Sequence, residues 1–541
     1  MTYRTECWRA VEIAFESAAA YRNPFLDVDL ACEFVSESGR TIRLLGYWDG
    51  GRTWKVRFAP TETGTWRFRT ACTNPADAGL HGREGAVESR PYAGPHELYR
   101  RGFLAVAPDR RHLAYADGTP FFWLGDTHWT FTSEERFDES NDPRHPSQFR
   151  ACVDRRVAQR FTVYQCNFRD GRDFHAFGRY DEYLLETEAG LLPDVAFLQR
   201  NPDPKMAYLA DAGLVIAAGL SWGGAILAEG RTERYRRLAK YLVARYGAYP
   251  VVWTLAGEVP GYAGGDEERE MADRWREVAL ETEKWDGYGA LQSVHLATDR
   301  PFPGVYAGEP WYDFAMSQAG HGDLPISASM YAEFRGLHPD LPLVESESLY
   351  EGIRSIEENG PRTVTPAMLR RVAYLAMQNG ACGYTYGACG VWELQWDAAP
   401  PGGFWAGWGS LKWSDGLDLP GARQMTILRD FYERVGWHRL TPVPTLVSTL
   451  VRFKNPLLQE RLRPSVTADE EMRTVVGYFD GPSWVPVQLR NLAAARYRAR
   501  WFDPETGAYE ALEDARPEGG RWVVPPRPGA GDRLLVLEAA E

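Results

Sequence analysis

Two glutamates that follow apolar segments of strand length are the residues in this sequence best suited to chemistry. Residues 251–257 lead to Glu258, and residues 341–345 lead through Ser346 to Glu347. Such segments predict buried parallel strands that carry functional groups at their carboxyl ends. Two carboxylates that flank a sugar bond can serve as the acid and the nucleophile of a glycosidase. The alternative is that both glutamates merely cap buried strands, although burying a carboxylate there is costly.

The spacing of the two glutamates indicates where they lie in the fold. They are 89 positions apart, which leaves room for three strand–helix units of about 30 residues each. Strands four and seven of an eight-stranded barrel fit that count, and their carboxyl ends share one mouth. The eight predicted strands are 121–126, 160–167, 214–220, 251–257, 290–295, 312–316, 341–345 and 381–386.

The chain divides into three predicted domains. Residues 1–104 alternate with period two, as in Trp54-Lys55-Val56-Arg57-Phe58, which predicts an N-terminal β-sandwich. Residues 105–440 add charged helical segments at 232–246 and 267–285, so we predict an α/β fold with a (β/α)8 TIM barrel. A doubly wound sheet is the structural alternative. Alternation returns over 441–541, which predicts a small C-terminal β-sandwich domain.

Polar and aromatic residues at most of the other strand ends suit a sugar site. Individually each is as easily a structural residue, but their convergence at one end of a barrel favours substrate binding. The candidates are Asp126, His128 and Trp129 after strand one, Gln165 and Asn167 on strand two, Trp222 after strand three, His295 after strand five, Gln318 and His321 after strand six, Glu345 on strand seven, and Tyr384 and Tyr386 on strand eight.

A tryptophan-rich loop follows strand eight. It is predicted to form a stacking wall for sugar rings, and packing between domains is the alternative explanation. Its tryptophans are Trp392, Trp396, Trp405, Trp408 and Trp413.

Composition restricts the partners of the 541-residue chain. A net charge of −13 argues against nucleic acid, whose phosphates would be repelled, so we expect a neutral carbohydrate partner. No apolar run is long enough for a signal peptide or a membrane span, which predicts a cytoplasmic protein without a membrane partner. Seven cysteines show no metal-binding spacing, so they are predicted to be buried thiols, with no metal and no cofactor. Homo-oligomerisation stays open.

Several motifs resemble those of the apiosidase-like glycoside hydrolases, and the resemblance spans nearly the whole chain. They are Phe122-Trp123-Leu124-Gly125-Asp126-Thr127-His128-Trp129, Trp311-Tyr312-Asp313-Phe314, Gln318-Ala319-Gly320-His321, Glu347-Ser348-Leu349-Tyr350-Glu351 and Gly383-Tyr384-Thr385-Tyr386-Gly387. The resemblance implies a barrel with an N-terminal β-sandwich and a C-terminal β-domain. It also implies a retaining mechanism, with Glu258 as acid/base and Glu347 as nucleophile.

The chain departs from the family pattern at both glutamates. The nucleophile motif of the family usually has Gly-Glu-Pro where this chain has Ser346-Glu347-Ser348, and apiose-cleaving members have Asp where this chain has Glu258. Because the longer acid reaches about one methylene further, a bond other than that of apiose is an open alternative. Glu345 competes with Glu347 for the nucleophile role, since period two places both on one strand face.

Three other functions stay open. A non-catalytic carbohydrate-binding protein would keep the aromatic loops without needing paired carboxylates. A metal-dependent barrel hydrolase would need His-x-His on strand one, where this chain has Asp126 and His128. An architectural role in a complex is the third, because the predicted barrel is flanked by two β-domains.

Overall fold

The computed structural model describes residues 1–132, 136–168, 183–259, 265–297, 304–321, 328–355, 362–398, 409–455, 458–459 and 462–540. The N-terminal part consists of two sheets, ordered β1-β8-β7-β3-β4 and β2-β6-β5. Its elements are β1 (Thr2–Glu6), β2 (Val11–Glu16), α1 (Pro24–Asp27), β3 (Leu30–Ser36), β4 (Thr41–Leu45), β5 (Tyr47–Trp48), β6 (Thr53–Phe58), β7 (Gly64–Cys72) and β8 (Glu84–Arg90). Alternating apolar residues of both sheets share one core, in which the rings of Phe34 and Phe58 stack 3.8 Å apart.

The central part alternates strands with helices. Its elements are α2 (Glu97–Arg101), β9 (Leu104–Val106), β10 (Leu113–Tyr115), β11 (Trp123–His128), α3 (Gln148–Ala158), β12 (Val163–Asn167), β13 (Leu184–Thr187), β14 (Gly190–Pro193), α4 (Val195–Arg200), α5 (Pro202–Asp211), β15 (Val215–Trp222), α6 (Arg231–Tyr246), β16 (Val251–Gly257), α7 (Gly265–Trp285), β17 (Ala315–Gln318), α8 (Ala328–Leu337), β18 (Leu343–Glu347), β19 (Arg354–Ser355), β20 (Arg362–Thr363), α9 (Pro366–Gln378), β21 (Gly383–Tyr386), α10 (Trp413–Gly416) and α11 (Pro420–Val435).

Seven of these strands form one parallel sheet with the topology of a half-barrel. Its order is β16-β15-β12-β11-β21-β18-β17, which follows the chain cyclically. The segment 290–297, where strand five was predicted, contacts both edge strands through isolated bridges instead of a continuous ladder. These parallel bridges pair Trp253 with Gln292, Val259 with Leu296, and His295 with Met316.

The observed strand ends differ from the predicted ones at several strands, and at the start of strand seven a proline explains the difference. Strand four agrees with β16 at both ends, but predicted strand seven (341–345) begins at Leu343 and ends at Glu347. Pro342 has no N–H for the ladder, so the strand starts after it. Glu347 is therefore the last residue of β18 instead of a residue beyond the strand.

The C-terminal part returns to β-structure. Its sheets are ordered β22-β24-β25-β30-β27-β28 and β23-β26-β29 and share a separate apolar core. The strands are β22 (Thr441–Pro442), β23 (Val447–Thr449), β24 (Ser465–Ala468), β25 (Thr474–Phe479), β26 (Val487–Leu489), β27 (Tyr497–Phe502), β28 (Tyr509–Ala511), β29 (Trp522–Val523) and β30 (Arg533–Ala539).

All seven cysteines are free thiols, and all except Cys7 are buried. In the part of the chain that the structure describes, no helix is long and apolar enough to cross a membrane.

Candidate active site

Glu347, at the end of β18, is a buried carboxylate between two imidazoles. Nε2 of His321 donates to Oε1 at 2.8 Å, and Nε2 of His295 lies 3.0 Å from Oε2. Burial alone would raise the pKa of Glu347, but the two histidines outweigh it and hold that pKa well below its usual range. The ionised form of this buried carboxylate is therefore favoured.

Glu258 stands immediately after β16 on a strained turn. Its φ is 57°, and Leu255 within the strand has φ 46°, both in the left-handed region that costs energy for a residue with a side chain. The register of β16 against β15 also shifts along this stretch, as in a bulge that redirects a side chain. Gln318 donates from Nε2 to Oε1 of Glu258 at 3.4 Å, and Gln318 pairs with Glu347 across β17 and β18.

His295 connects the two glutamates through its backbone and its ring. Its N–H donates to the carbonyl of Ala256 at 3.0 Å, and its carbonyl accepts from Val259 at 3.0 Å. The residues on either side of Glu258 are thereby tied to the residue whose ring contacts Glu347. Both carboxylates consequently lie at the same end of the parallel sheet.

Aromatic rings line this end of the sheet. Trp129 lies edge-on to Trp222 at 5.3 Å and to His295 at 5.2 Å between ring centroids. Trp222 also covers the backbone of Gly257, where an added Cβ would come within 2.4 Å of the indole ring. A glycine is therefore required directly before Glu258, so that the indole can pack there.

Tyr350 belongs to the same cluster, although the sequence indicated it only as part of the motif that begins at Glu347. Its hydroxyl accepts from Nε1 of Trp129 at 2.9 Å, and its ring lies 4.5 Å from that of His321. Burial and the neighbouring Glu347 carboxylate hold the pKa of Tyr350 well above its usual range, so the phenol stays protonated. An added Cβ on Gly387 would lie 2.1 Å from the Tyr350 ring, so the two residues pack closely.

Asp126 and His128, which were predicted to bind substrate, form a buried cluster with Arg156 of α3. Oδ2 of Asp126 is 2.9 Å from Nε2 of His128 and accepts from Nε of Arg156, on α3, at 2.7 Å. Burial opposes ionisation of Asp126, but Arg156 and His128 lower its pKa. The ring of His128 stacks on Tyr164 at 4.2 Å. Asp126 and His128 are two positions apart on β11, which extends to His128, so their side chains share the face that packs against α3.

Gln165 and Asn167, on β12, are buried and hold neighbouring strand ends. Gln165 donates to the carbonyl of Ser346 at 3.0 Å and accepts from the hydroxyl of Thr385 at 3.2 Å. Asn167 donates to the carbonyl of Ser221 at 2.8 Å. These contacts give both residues a positioning role, and the one from Gln165 lies next to Glu347.

Glu345 and Glu347 do not share a strand face, contrary to the period-two expectation. Glu345 accepts from Ser317 at 2.7 Å, from the N–H of Ala319 at 3.0 Å and from Tyr331, on α8, at 2.8 Å. The pairing of β17 with β18 shifts by one residue after Ser317, which reverses the direction of the side chains that follow. Burial raises the pKa of Glu345 to about 7.

Tyr384 and Tyr386, on β21, are fully buried and contact residues that follow Glu347 along the chain. The hydroxyl of Tyr384 is 2.7 Å from that of Ser348, and Tyr386 donates to Glu351 at 2.7 Å. Neither contact involves Glu258 or the carboxylate of Glu347. These tyrosines therefore support the segment behind the site.

The tryptophan-rich loop is divided between the core and the surface. Trp392 is 5% exposed and packs 5.6 Å from Tyr350, so replacing it would disturb the core. Trp396 is half-buried beneath the guanidinium of Arg136, which lies 3.9 Å from its ring centroid. Packing thus accounts for Trp392, and also for the fully buried Trp413. Two members of the predicted wall lie outside the described residues, Trp405 and Trp408.

The chain matches the profile of a known protein family. The profile of the family described as "Apiosidase-like, catalytic domain" matches residues 107–439. The chain belongs to the apiosidase-like family. It is accordingly a glycoside hydrolase. A second profile, for a domain of unknown function (DUF5060), matches residues 4–73 of this apiosidase-like protein.

Solved structures share the fold of this apiosidase-like chain. A "putative glycoside hydrolase" from Bacteroides vulgatus has a TM-score of 0.67 and 18% identity, covering 99% of this chain and 100% of its own. A structure described as a glycoside hydrolase has a TM-score of 0.64 and 20% identity over 83% of this chain and 99% of its own. A family 5 glycoside hydrolase from Bacteroides vulgatus has a TM-score of 0.63 and 19% identity over 82% and 94%. Among curated proteins no match was found.

The two serines that replace the usual Gly and Pro of the apiosidase-like motif anchor the nucleophile candidate. Ser346 donates to the carbonyl of Ser317 at 2.8 Å, and the Ser348 hydroxyl is 2.7 Å from that of Tyr384. Glu347 is therefore held from both sides by side chains that the usual motif lacks. Within the described ranges, no group of three His, Cys, Asp or Glu residues is arranged to hold a metal ion.

Proposed function

We propose that this protein is a retaining glycoside hydrolase, with Glu347 as the nucleophile and Glu258 as the acid/base. The observation that carries the proposal is the ionised, buried Glu347 between His295 and His321. A nucleophile must be charged at working pH, and the two imidazoles favour the charged form. Glu258 lies at the same end of the sheet and shares Gln318 as a neighbour.

The proposed reaction has two displacements. In the first, a Glu347 oxygen bonds to the anomeric carbon, the glycosidic bond breaks, and the proton of Glu258 passes to the leaving oxygen. In the second, Glu258 takes a proton from water, the water oxygen attacks the anomeric carbon, and Glu347 leaves. Each displacement inverts the anomeric carbon, so the product retains the starting configuration.

The substrate is proposed to be a neutral oligosaccharide or glycoside of plant or microbial origin. Trp129 and Trp222 supply aromatic surface beside the carboxylates, which suits the apolar face of a sugar ring. The net charge of −13 disfavours anionic polymers. Glu258, which is longer than the Asp of apiose-cleaving relatives, supports a glycosidic bond other than that of apiose.

The proposed architecture is a barrel flanked by two β-sandwich domains. The seven-stranded sheet and the bridging segment 290–297 support a (β/α)8 barrel within residues 105–440. Residues 1–104 are proposed as an N-terminal β-sandwich and residues 441–541 as a C-terminal β-sandwich domain, since each region has two sheets around one core.

The anomeric configuration of the first product tests the mechanism. Aryl glycosides, including α-L- and β-D-furanosides, would first be screened for a substrate, and the reaction would then be followed by proton NMR. We expect the anomer that matches the substrate to form first, before mutarotation reaches the equilibrium mixture recorded for the free sugar. An inverted first product would exclude double displacement.

A further inference from the structure

A cavity lies at the opposite end of the parallel sheet from the two glutamates. It has a volume of about 520 Å³ and is lined by Ala381 and Cys382, which precede β21, and by residues of the C-terminal region such as Pro442 and Thr467. Glu347 ends a strand that runs parallel to β21. The cavity therefore lies between the amino-terminal end of the sheet and the C-terminal domain, and nothing in the proposed reaction uses it.

The wall of this cavity carries an excess of positive charge. Arg111, Arg335 and Arg463 line it, and its described lining includes no Asp or Glu. His112 and His438 also line it, but burial lowers the pKa of both, so they add no charge near neutral pH. The chain as a whole has a net charge of −13, so a purely cationic lining runs against its composition. Arginine forks arranged around one cavity are suited to a carboxylate or another oxyanion.

Among the described residues, no carboxylate forms an ion pair with the guanidinium of Arg335. Its guanidinium donates to two backbone carbonyls, those of Leu341 at 3.3 Å and Gly380. Burial lowers the pKa of Arg335, which is the effect of desolvating a cation. Gly380 has φ +97°, and an added Cβ there would lie 2.9 Å from Nε of Arg335. The absence of a side chain at Gly380 therefore lets the guanidinium approach the backbone closely.

The remainder of the lining is apolar. Trp437, Tyr432, Met377 and Leu440 provide aromatic and aliphatic surface, and the ring of Trp437 lies edge-on to His112 at 5.4 Å. Arg111 differs from Arg335, since it is already paired with Asp109 at 3.0 Å. Arg335 and the exposed Arg463 are therefore the two arginines that can pair with an anionic ligand. The apolar residues just named form the floor of the cavity.

We propose that this cavity binds a small organic carboxylate whose charge meets Arg335 and Arg463 and whose aromatic or aliphatic body packs on Trp437 and its neighbours. An inorganic anion would leave the apolar floor uncovered, and a neutral ligand would leave Arg335 without a counterion. The site is independent of Glu258 and Glu347.

Isothermal titration calorimetry on the full chain tests this proposal with matched probes. We expect phenylacetate to bind saturably with one site per chain, and its neutral analogue phenylacetamide to bind at least about tenfold more weakly, the ratio for a loss of 1.4 kcal/mol. Arg335→Gln and Arg463→Gln should each weaken phenylacetate binding by about tenfold. Arg463→Gln is the variant least exposed to folding problems, because its side chain is at the surface. Its kcat/KM on an aryl glycoside should equal that of the wild type.

Three results would overturn the proposal. They are the absence of saturable phenylacetate binding, equal binding of phenylacetate and phenylacetamide, and unchanged binding in a folded Arg463→Gln variant. Saturable binding of inorganic phosphate with none of phenylacetate would also contradict it, because the apolar floor would then have no role.

Discussion

Two glutamates on one strand have opposite acid–base character because their neighbours differ. Glu347 contacts two imidazoles and is held ionised, whereas Glu345 is fully buried among hydroxyls and one N–H, and burial raises its pKa to about 7. Environments that shift the pKa values of two carboxylates in opposite directions are typical of active sites. The charge available for nucleophilic attack therefore resides on Glu347.

Removing one imidazole should change the pH dependence of the reaction. His321→Leu removes one of the two imidazoles that oppose the effect of burial, so the pKa of Glu347 rises. Because a carboxylate with a raised pKa is protonated at higher pH, the acid limb of kcat/KM should move upwards by about one unit or more. The measurement is a pH profile of kcat/KM on an aryl glycoside.

The matched control for this variant is His338→Leu, which removes a histidine outside the site, just after α8. Its pH profile should match that of the wild type. An acid limb that stays in place in His321→Leu would show that His321 does not stabilise the charged nucleophile.

The sequence indicated several residues that lie together in the structure, but it did not show which way every side chain points. Glu258, Gln318, His295, His321 and Glu347 were named from strand ends alone, and the structure brings them together. Asp126 and His128 were also named from a strand end, but they lie on the face of β11 that contacts Arg156 of α3, and the position of a strand end does not show which face a residue takes. Tyr350 was missed because a tyrosine two or three residues beyond a strand has no distinctive spacing.

At the scale of elements, irregular backbone in β16 and β18 determines the directions of the Glu258 and Glu347 side chains. The register shift in β18 separates Glu347 from Glu345, and the left-handed φ of Leu255 and Glu258 redirects the end of β16. Pattern analysis assumes a regular alternation along each strand. It could therefore locate the strands, but not the bulges that decide which side chain faces the site.

A methyl group on Gly257 should disturb the acid/base without unfolding the protein. The added Cβ of Gly257→Ala would meet the Trp222 ring at 2.4 Å, so either the indole or the end of β16 must shift. We expect a stability loss of about 1–3 kcal/mol and a fall in kcat/KM of about tenfold or more. Denaturant unfolding and steady-state kinetics would measure the two effects.

Gly224→Ala provides the control, since an added Cβ there has nothing within 4 Å and the residue follows the same strand as Trp222. It should change neither quantity. Wild-type kinetics in Gly257→Ala would mean that the position of Trp222 and the strand end has no bearing on catalysis.

At the scale of the whole molecule, a buried ion network joins the N-terminal sheets to the central domain. Arg245, on α6, pairs with Asp49 at 2.9 Å and with Asp203 at 2.5 Å, and its carbonyl accepts from Arg57, on β6. Arg57 also pairs with Glu12 at 3.1 Å. These contacts join the N-terminal sheets to helices α5 and α6.

Breaking this network should cost stability and leave catalysis intact. Arg245→Met would leave Asp49 and Asp203 without their shared partner, a loss of about 3–5 kcal/mol in the free energy of unfolding. Arg237→Met, on the same helix, removes only an exposed pair with Glu233 and should cost about 0–1 kcal/mol. Equal losses in the two variants, measured by denaturant unfolding, would contradict a role for the network in joining the domains.

The overall organisation was the part most accessible from the sequence. Period-two segments at both ends and apolar segments alternating with helices between them follow directly from which faces are buried. Arg245 and Asp49 could not be paired in advance, because 196 positions separate them in the sequence. Contacts between domains depend on docking geometry, which local patterns do not contain.

The central claim, that Glu347 attacks and Glu258 transfers the proton, is tested most directly by azide rescue. On an aryl glycoside with an activated phenol, Glu258→Ala should form the glycosyl-enzyme and stall, and azide should restore turnover with a glycosyl azide of retained configuration. Glu347→Ala should be inactive on the same substrate, and azide should at most give the opposite anomer. Glu345→Gln, the buried control two residues away, should show neither signature. If Glu258→Ala is as inactive as Glu347→Ala and azide restores nothing, the assignment of the two glutamates is wrong.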